Sequence, residues 1–315
     1  MGNILFPDSL KYEFQSAIDR YDVRQIVKMC KKYDINKFDY NASFMKRTPL
    51  HWAICEQEKS HEMYQIITTI ATASNRLIEL GDNDGNTPVH LAIYSDYFDA
   101  VKILTQLNPH SLLIKNNRGE TPLFVAVQQN KLEIVKYIFD ILTNSSGTMN
   151  AVHAADAVDA IDAIDMIRTE RNDLVSPIHV AAEISTTNMI ELLVEHNMPI
   201  INTQNSSSGF TPLFHAVKRK RLVNVRLLVR LGADLDARTH DGTGLAEFAL
   251  HQLLDKRTNA TRATARMMVA LCYGAGTVKI DNLSYTIDED AALKCRSIVY
   301  FEYPLVHRLL FSLSG

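Results

Sequence analysis

Apolar residues along the chain come in pairs of short stretches separated by polar turns, and the pairing recurs. The second stretch of a pair has helical period. Leu132–Leu142 reads LEIVKYIFDIL, Asn188–His196 reads NMIELLVEH and Val223–Ala237 reads VNVRLLVRLGADLDA, with apolar residues returning every three or four positions. Gly232 in the last of these predicts a helix end, because glycine reaches positive φ without cost. The first stretch is a hexad: TPLHWA at Thr48, TPVHLA at Thr87, TPLFVA at Thr121, SPIHVA at Ser176 and TPLFHA at Thr211. Each hexad is spelled as a helix start. Thr48, Thr87, Thr121, Ser176 and Thr211 offer a side-chain oxygen to orphan N–H groups of a first turn. Pro49, Pro88, Pro122, Pro177 and Pro212 follow at the first helical position, where a missing N–H costs nothing. The closing residues Ala53, Ala92, Ala126, Ala181 and Ala216 leave room for a neighbouring helix.

The hexads begin at 48, 87, 121, 176 and 211, in steps of 39, 34, 55 and 35. A weaker copy, GLAEFA, begins 33 residues later at Gly244, and an earlier one, YEFQSA at Tyr12–Ala17, precedes the first clear copy by 36. Between pairs lie turn sequences: DNDGN at Asp82–Asn86, NNRGE at Asn116–Glu120, SSSGF at Ser206–Phe210 and HDGT at His240–Thr243. A period near 33 residues with a TPLHxA signature resembles the ankyrin repeat, and the resemblance covers nearly the whole chain.

That resemblance implies an all-α repeat solenoid: ankyrin-type helix-turn-helix units with hairpin loops, about seven of them, stacked into a curved array. It implies that His51, His90 and His179 are structural and hydrogen-bond between neighbouring units. It also implies a non-catalytic module that binds another protein on a concave face of hairpin tips and short helices. The contact positions then map to Asn83, Asp84, Asn86, Tyr94, Asn117, Arg118, Glu120, Gln128, Gln129, Glu183, Ser207, Ser208, Phe210, Lys218 and Arg219. Tyr94, Arg118 and Phe210 are the expected hot spots, being aromatic or arginine.

Departures from the period individualise the chain. The step of 55 carries extra residues in Asn144–Asn172, where NSSG reads as a loop and AVHAADAVDAIDAIDMI as a helix between the fourth and fifth units. Asp156, Asp159, Asp162 and Asp165 recur every third position and form a drifting acidic stripe. Both an amphipathic helix packed on the array and a partner-specific insertion fit. A metal site with His153 does not, since such spacing fails to converge on one point. Leu174 stands where Gly85 and Gly119 stand in other units, which questions that tip. Lys218–Arg221 reads KRKR, a nucleic-acid or nuclear-import pattern in isolation but a solvated inter-helix turn in register; with Arg226 and Arg230 it makes a basic unit suited to an acidic partner. His215 follows Phe214, which occupies the family's histidine position, and has no evident role.

The array is expected over 1–287, with an N-terminal capping unit at 9–40, the insertion at 144–172 and C-terminal capping helices at 288–315; Gly274–Asp281, GAGTVKID, closes the seventh unit. Ser9–Tyr33 with Phe6-Pro7 is also similar to an F-box. ALKCRSIV and YPLVHRLLFSL resemble a suppressor-of-cytokine-signalling box with Ala291 in place of a leucine, so a ubiquitin-ligase adaptor is the alternative.

Composition narrows the classes further. The 315 residues are 46% hydrophobic and 22% charged with net charge −3, a folded protein with no global attraction to nucleic acid or anionic membrane. No apolar run approaches the roughly 20 residues of a membrane span. MGNILFPDS lacks a basic n-region, so no secretory signal is expected, and Phe6 replaces the Ser or Thr that myristoylation of Gly2 needs. Cys30, Cys55, Cys272 and Cys295 have no CxxC spacing, as expected of reduced thiols in a cytoplasm. No GxSxG, Walker, kinase or HExxH pattern occurs, so neither enzyme activity, cofactor nor metal is expected, and a monomer is. An accidental Cys–His pair in a protein delivered into host cells by an intracellular bacterium is the remaining alternative, since irregular repeat lengths resemble that style of ankyrin protein.

Overall fold

The computed structural model describes residues 4–40, 44–144, 170–184, 186–196, 198–245, 248–249, 278–280 and 283–285. The expected insertion helix (145–169) and C-terminal capping helices (288–315) lie outside the described residues. The chain divides into two compact units, Met1–Pro177 and Ile178–Gly315, described in turn.

The first unit opens with β1 (Ile4–Leu5), paired in parallel with β2 (Phe38–Asp39). Phe6, next in sequence, is 3% exposed; its ring centroid lies 5.1 Å from Phe38, 4.9 Å from Tyr40 and 6.3 Å from Trp52. Helices α1 (Asp8–Asp19) and α2 (Val23–Lys32) follow and pack on α3 (Pro49–Cys55) and α4 (His61–Ala73). They bury Phe14, Ala17, Ile18, Ile26 and Met29. The segment compared with an F-box therefore spends its apolar face, and the Phe6 side chain, inside the stack.

The step of 39 is longer because the turn at 56–60 and α4 both exceed their counterparts in the next repeat; the short helix α5 (Arg76–Glu79) follows. Next come α6 (Pro88–Tyr94), α7 (Phe98–Leu107), α8 (Pro122–Gln128) and α9 (Leu132–Asn144), the last of which takes in the first residue of the expected NSSG loop. Short helices neighbour short helices, α3 with α6 and α6 with α8, while α4 packs on α7. In the second unit the same pair recurs as α10 (Pro177–Ile184) with α11 (Thr187–His196), and α12 (Pro212–Lys218) with α13 (Leu222–Arg230). The GLAEFA copy is helical where described, with Phe248 N–H donating to the Gly244 carbonyl at 2.9 Å. Beyond it, β3 (Val278–Ile280) and β4 (Leu283–Tyr285) pair antiparallel, a small hairpin where the sequence read only a unit's end.

The hexads explain this regularity. Ala53, Ala92, Ala126, Ala181 and Ala216 are all 0% exposed, so neighbours approach to the Cβ. Four of the helix pairs turn on one left-handed residue: Tyr21, Asp96, Asn130 and Lys220 have φ between 54° and 57°. The amide after it donates back five residues, Asp22 to Ala17, Tyr97 to Ala92, Lys131 to Ala126 and Arg221 to Ala216, at 2.8–2.9 Å. Ala17 shares this signature, so YEFQSA is a full member of the array. Gly232 has φ +90° and closes α13 in the same way, with Ala233 N–H on the Leu228 carbonyl at 2.9 Å.

Capping departs from the expectation in one unit. Thr48 Oγ1 accepts from the His51 amide at 3.4 Å and Thr121 Oγ1 from the Phe124 amide at 3.2 Å. Thr87 Oγ1 lies 2.8 Å from His90 Nδ1. Thr211 makes no such bond; its hydroxyl is buried without a partner, and Pro212 alone starts that helix.

Candidate partner-binding surfaces

The three hexad histidines are bolts between units. His51 Nδ1 receives the Thr48 amide at 3.2 Å, which leaves the ring proton on Nε2, 3.1 Å from the Asn86 carbonyl. His90 repeats this with the Thr87 amide at 3.2 Å and the Glu120 carbonyl at 3.0 Å. His179 Nε2 lies 3.0 Å from the carbonyls of Thr203 and Phe210. Burial, as the leading cause, pushes the pKa of each down to about 4, so all three are neutral donors at physiological pH. Each ties its own repeat to the backbone that follows it in sequence.

The tips form a hydrogen-bonded ladder in the first unit. Asn83 N–H donates to the Met45 carbonyl, Asn117 N–H to Asp84 and Asn172 N–H to Arg118, each at 2.9 Å. Side chains repeat the link: Asn117 Nδ2 reaches the Asn83 carbonyl at 2.8 Å and Asn172 Nδ2 the Asn117 carbonyl at 2.7 Å. Two of the tips are folded by their first residue, which the sequence reading passed over. Asp82 Oδ1 accepts from the amides of Asp84 and Asn86, and Asn116 Oδ1 from those of Arg118 and Glu120, at 2.9–3.0 Å. An Asp or Asn five residues before Thr87 and Thr121, and six before Thr211, was the available signal. The doubtful tip keeps the shared shape: Leu174 itself takes φ +63°, its amide 2.8 Å from the Arg171 carbonyl.

On this scaffold Asn83, Asp84, Asn117, Arg118 and Gln129 are exposed, and Tyr94 and Gln128 half-buried. Two expected contact residues are not available. Asn86 is 5% exposed, its side-chain oxygen accepting from Asn116 Nδ2 at 3.0 Å. Glu120 is 0% exposed. Its carboxylate accepts from Asn116 Nδ2 at 2.9 Å and lies 3.4 Å from both Arg118 Nε and Arg171 Nη1. A buried carboxylate needs that many partners to remain inside. Arg118 also reaches the Tyr94 hydroxyl at 3.3 Å, so Tyr94, Arg118 and Glu120 act as one group.

In the second unit Asn205 plays the tip-folding part, accepting from the amides of Ser208 at 3.2 Å and Phe210 at 2.9 Å. The tip glycine lies close against the next tip: a Cβ on Gly209 would meet His240 Cδ2 at 2.5 Å. Ser207, Lys218 and Arg219 are exposed, Ser208 and Phe210 half-buried. The Phe210 ring packs on Phe214 at 5.4 Å and Phe248 at 5.0 Å, with Lys218 Nζ 5.6 Å from its centroid. His215 now has a role. Its Nδ1 lies 2.8 Å from Glu183 Oε1, its Nε2 accepts from Asn205 Nδ2 at 3.3 Å, and its ring sits 4.9 Å from His179. Arg219 Nε adds a 3.1 Å contact to Glu183 Oε2, and Arg221 Nε donates to the Glu183 carbonyl at 2.8 Å. Burial pushes the Glu183 carboxyl up, but the His215 hydrogen bond and the Arg219 charge outweigh it and hold the pKa below the usual range. The KRKR turn is thus less free than its solvated reading implied, because Arg219 and Arg221 bind back to Glu183. Glu183 is correspondingly committed inside its own unit.

The two described thiols carry no activation. Burial pushes Cys30 up to about 11 and also raises Cys55, the opposite of a reactive thiolate. Cys272 and Cys295 lie outside the described residues. Among the described residues no group of three His, Cys, Asp or Glu could hold a metal ion, and no helix is long and apolar enough to cross a membrane.

Paired helices with proline starts, histidine bolts and laddered tips define an interaction-type repeat architecture. The family model described as Ankyrin repeats (3 copies) matches residues 73–147 and 148–239, more than half the chain, and the protein belongs to the ankyrin-repeat family. The mouse B-cell lymphoma 3 protein homolog is 26% identical over 204 residues, covering 65% of this chain but only 40% of its own length. Yeast Probable 26S proteasome regulatory subunit p28 is 28% identical over 213 residues, covering 67% of this chain and 82% of that one. The crystal structure of the ankyrin repeat domain of Bcl-3 aligns with a TM-score of 0.55 at 20% identity, over 80% of this chain and 98% of that one.

Proposed function

We propose that this protein is a non-catalytic interaction module whose tips and short-helix ends grip a partner protein. One observation carries the reading: the recurring hexad residues are buried, while the positions that vary between units, Asn83, Asp84, Asn117, Arg118, Gln129, Ser207 and Lys218, are exposed on a hydrogen-bonded frame. A rigid frame with variable side chains loses little entropy on binding. Arg118 and the half-buried Phe210, flanked by Lys218, are the anchors in their respective units. The yeast relative, by its name a regulatory subunit of the 26S proteasome, supports a role in assembly with other proteins.

The test is affinity capture from a eukaryotic lysate with the wild-type chain and with the variant Arg118→Ala/Phe210→Ala/Lys218→Ala. The variant loses the captured protein while its circular dichroism stays that of the wild type. Equal capture by both would refute the assignment.

A further inference from the structure

The helix turn at 218–221 in the second unit is KRKR, and Lys218, Arg219 and Arg221 are exposed. The fold does not require these charges. The matching turns of the first unit read YSDY at 94–97 and QQNK at 128–131. All three close with the same bond, from the Arg221 amide to the Ala216 carbonyl, Tyr97 to Ala92 and Lys131 to Ala126, at 2.8–2.9 Å. One carboxylate answers the four cations. Glu183 Oε2 lies 3.1 Å from Arg219 Nε, and Oε1 is already taken by His215 at 2.8 Å. Among the described residues Lys218 and Lys220 pair with no acid.

The arginines are held by one corner only. Arg219 spends Nε on the Glu183 carboxylate and Arg221 spends Nε on the Glu183 carbonyl, which leaves the Nη groups of both without a partner among the described residues. A guanidinium fixed at Nε has lost part of its freedom in advance, and its Nη end takes a carboxylate in two parallel bonds. Lys218 differs from its counterpart in a telling way. In the first unit the residue before the hexad at Thr121 is the carboxylate Glu120, 3.5 Å from the Tyr94 hydroxyl. In register, Phe210 takes the place of Glu120 and Lys218 the place of Tyr94. The Lys218 ammonium therefore stands 5.6 Å from the centre of a ring where its counterpart meets an acid. Phe210 is half-buried, and Ile184, next to Glu183, is 42% exposed. Unmatched positive charge thus adjoins uncovered apolar surface.

We propose that this patch binds an acidic segment of a partner protein, with carboxylates on the cations of 218–221 and an apolar side chain against Phe210 and Ile184. The inference rests on the reading that tips and short-helix ends grip a partner, and it names that partner's chemistry. Complementary charge selects the segment, and the apolar contact adds the burial that exposed ion pairs lack. A confined patch on a chain of net charge −3 suits a short acidic stretch better than a long polyanion such as nucleic acid.

The experiment is fluorescence anisotropy of the full chain with a short labelled peptide of glutamates around one central phenylalanine. The comparison probes are the same peptide with glutamine for glutamate, the same with alanine for phenylalanine, and a labelled single-stranded DNA. Saturation with a Kd below about 100 µM at low salt is expected, weakening as salt is raised. The glutamine peptide is silent and the alanine peptide binds about tenfold more weakly. Arg219→Lys with Arg221→Lys keeps the charge, loses the forks and weakens binding about tenfold, with the melting curve of the wild type as the check on folding. No saturation at about 1 mM, binding of the glutamine peptide, tighter binding of the DNA, or full affinity in the folded double variant would each overturn the proposal. A silent acidic peptide, beside lysate capture that still depends on Arg118, Phe210 and Lys218, overturns this chemistry alone and leaves the tip reading standing.

Discussion

Acid should loosen this protein through its bolts before it reaches its carboxylates. His51, His90 and His179 each have a folded pKa near 4, against about 6.5 in an unfolded chain. The sign follows from proton counting. Between those values the unfolded chain binds a proton at each site and the folded chain does not, so stability rises with pH and is lost as pH falls from about 6.5 toward 4. Each site then contributes about 2 kcal/mol of loss at pH 5 and about 3 by pH 4. Three sites together remove about 6 kcal/mol at pH 5, a large fraction of the 5–15 kcal/mol typical of folded domains. The geometry gives the cause. Protonating His51 or His90 puts a hydrogen on Nδ1 facing the Thr48 or Thr87 amide, turning a bond into donor against donor inside a dry joint. Urea unfolding followed by circular dichroism at pH 7.5, 6 and 5 reads the effect, with histidine ring NMR signals assigning it. A flat stability over that range, or His90 titrating near 6.5 in the folded protein, would refute the reasoning.

Two substitutions test the tips. Leu174 occupies a left-handed position at 40% exposure, so Leu174→Gly should raise stability by about 0.5–1 kcal/mol in thermal unfolding; a loss would mean the leucine side chain outweighs its backbone. Gly85→Ala should cost about 2 kcal/mol or more, since the added Cβ would lie 2.5 Å from Asn117 Oδ1 and break the ladder. Gly242→Ala, at φ +84° with nothing within 4 Å of its Cβ, should cost only the backbone part, about 1 kcal/mol, and equal costs for the two would argue against tip stacking.

Local spelling made most of the fold legible. The hexads mark helix starts, alanine marks the close approach, and the weak YEFQSA copy was recoverable because Ala17 keeps the turn bond of its stronger siblings. The tips were harder to read, because burial there depends on residues far away in sequence. Glu120 looks like a solvated loop residue until Arg171, 51 residues on, and Tyr94, 26 residues back, close around it. His215 looked idle because its partner Glu183 lies in the preceding helix pair, 32 residues away. Leu174 put its tip in question because propensity argues against positive φ for leucine, yet the residue takes it within the hydrogen-bonded ladder.

The central claim, that buried hexads build a frame and exposed tips do the binding, is tested most directly by hydrogen exchange of the full chain with and without its captured partner. Peptides covering Asn83–Asp84, Asn117–Arg118 and Ser207–Phe210 should exchange more slowly in the complex, with α4, α7 and α9 unchanged. Protection confined to those longer helices, with the tips exchanging as before, would contradict it.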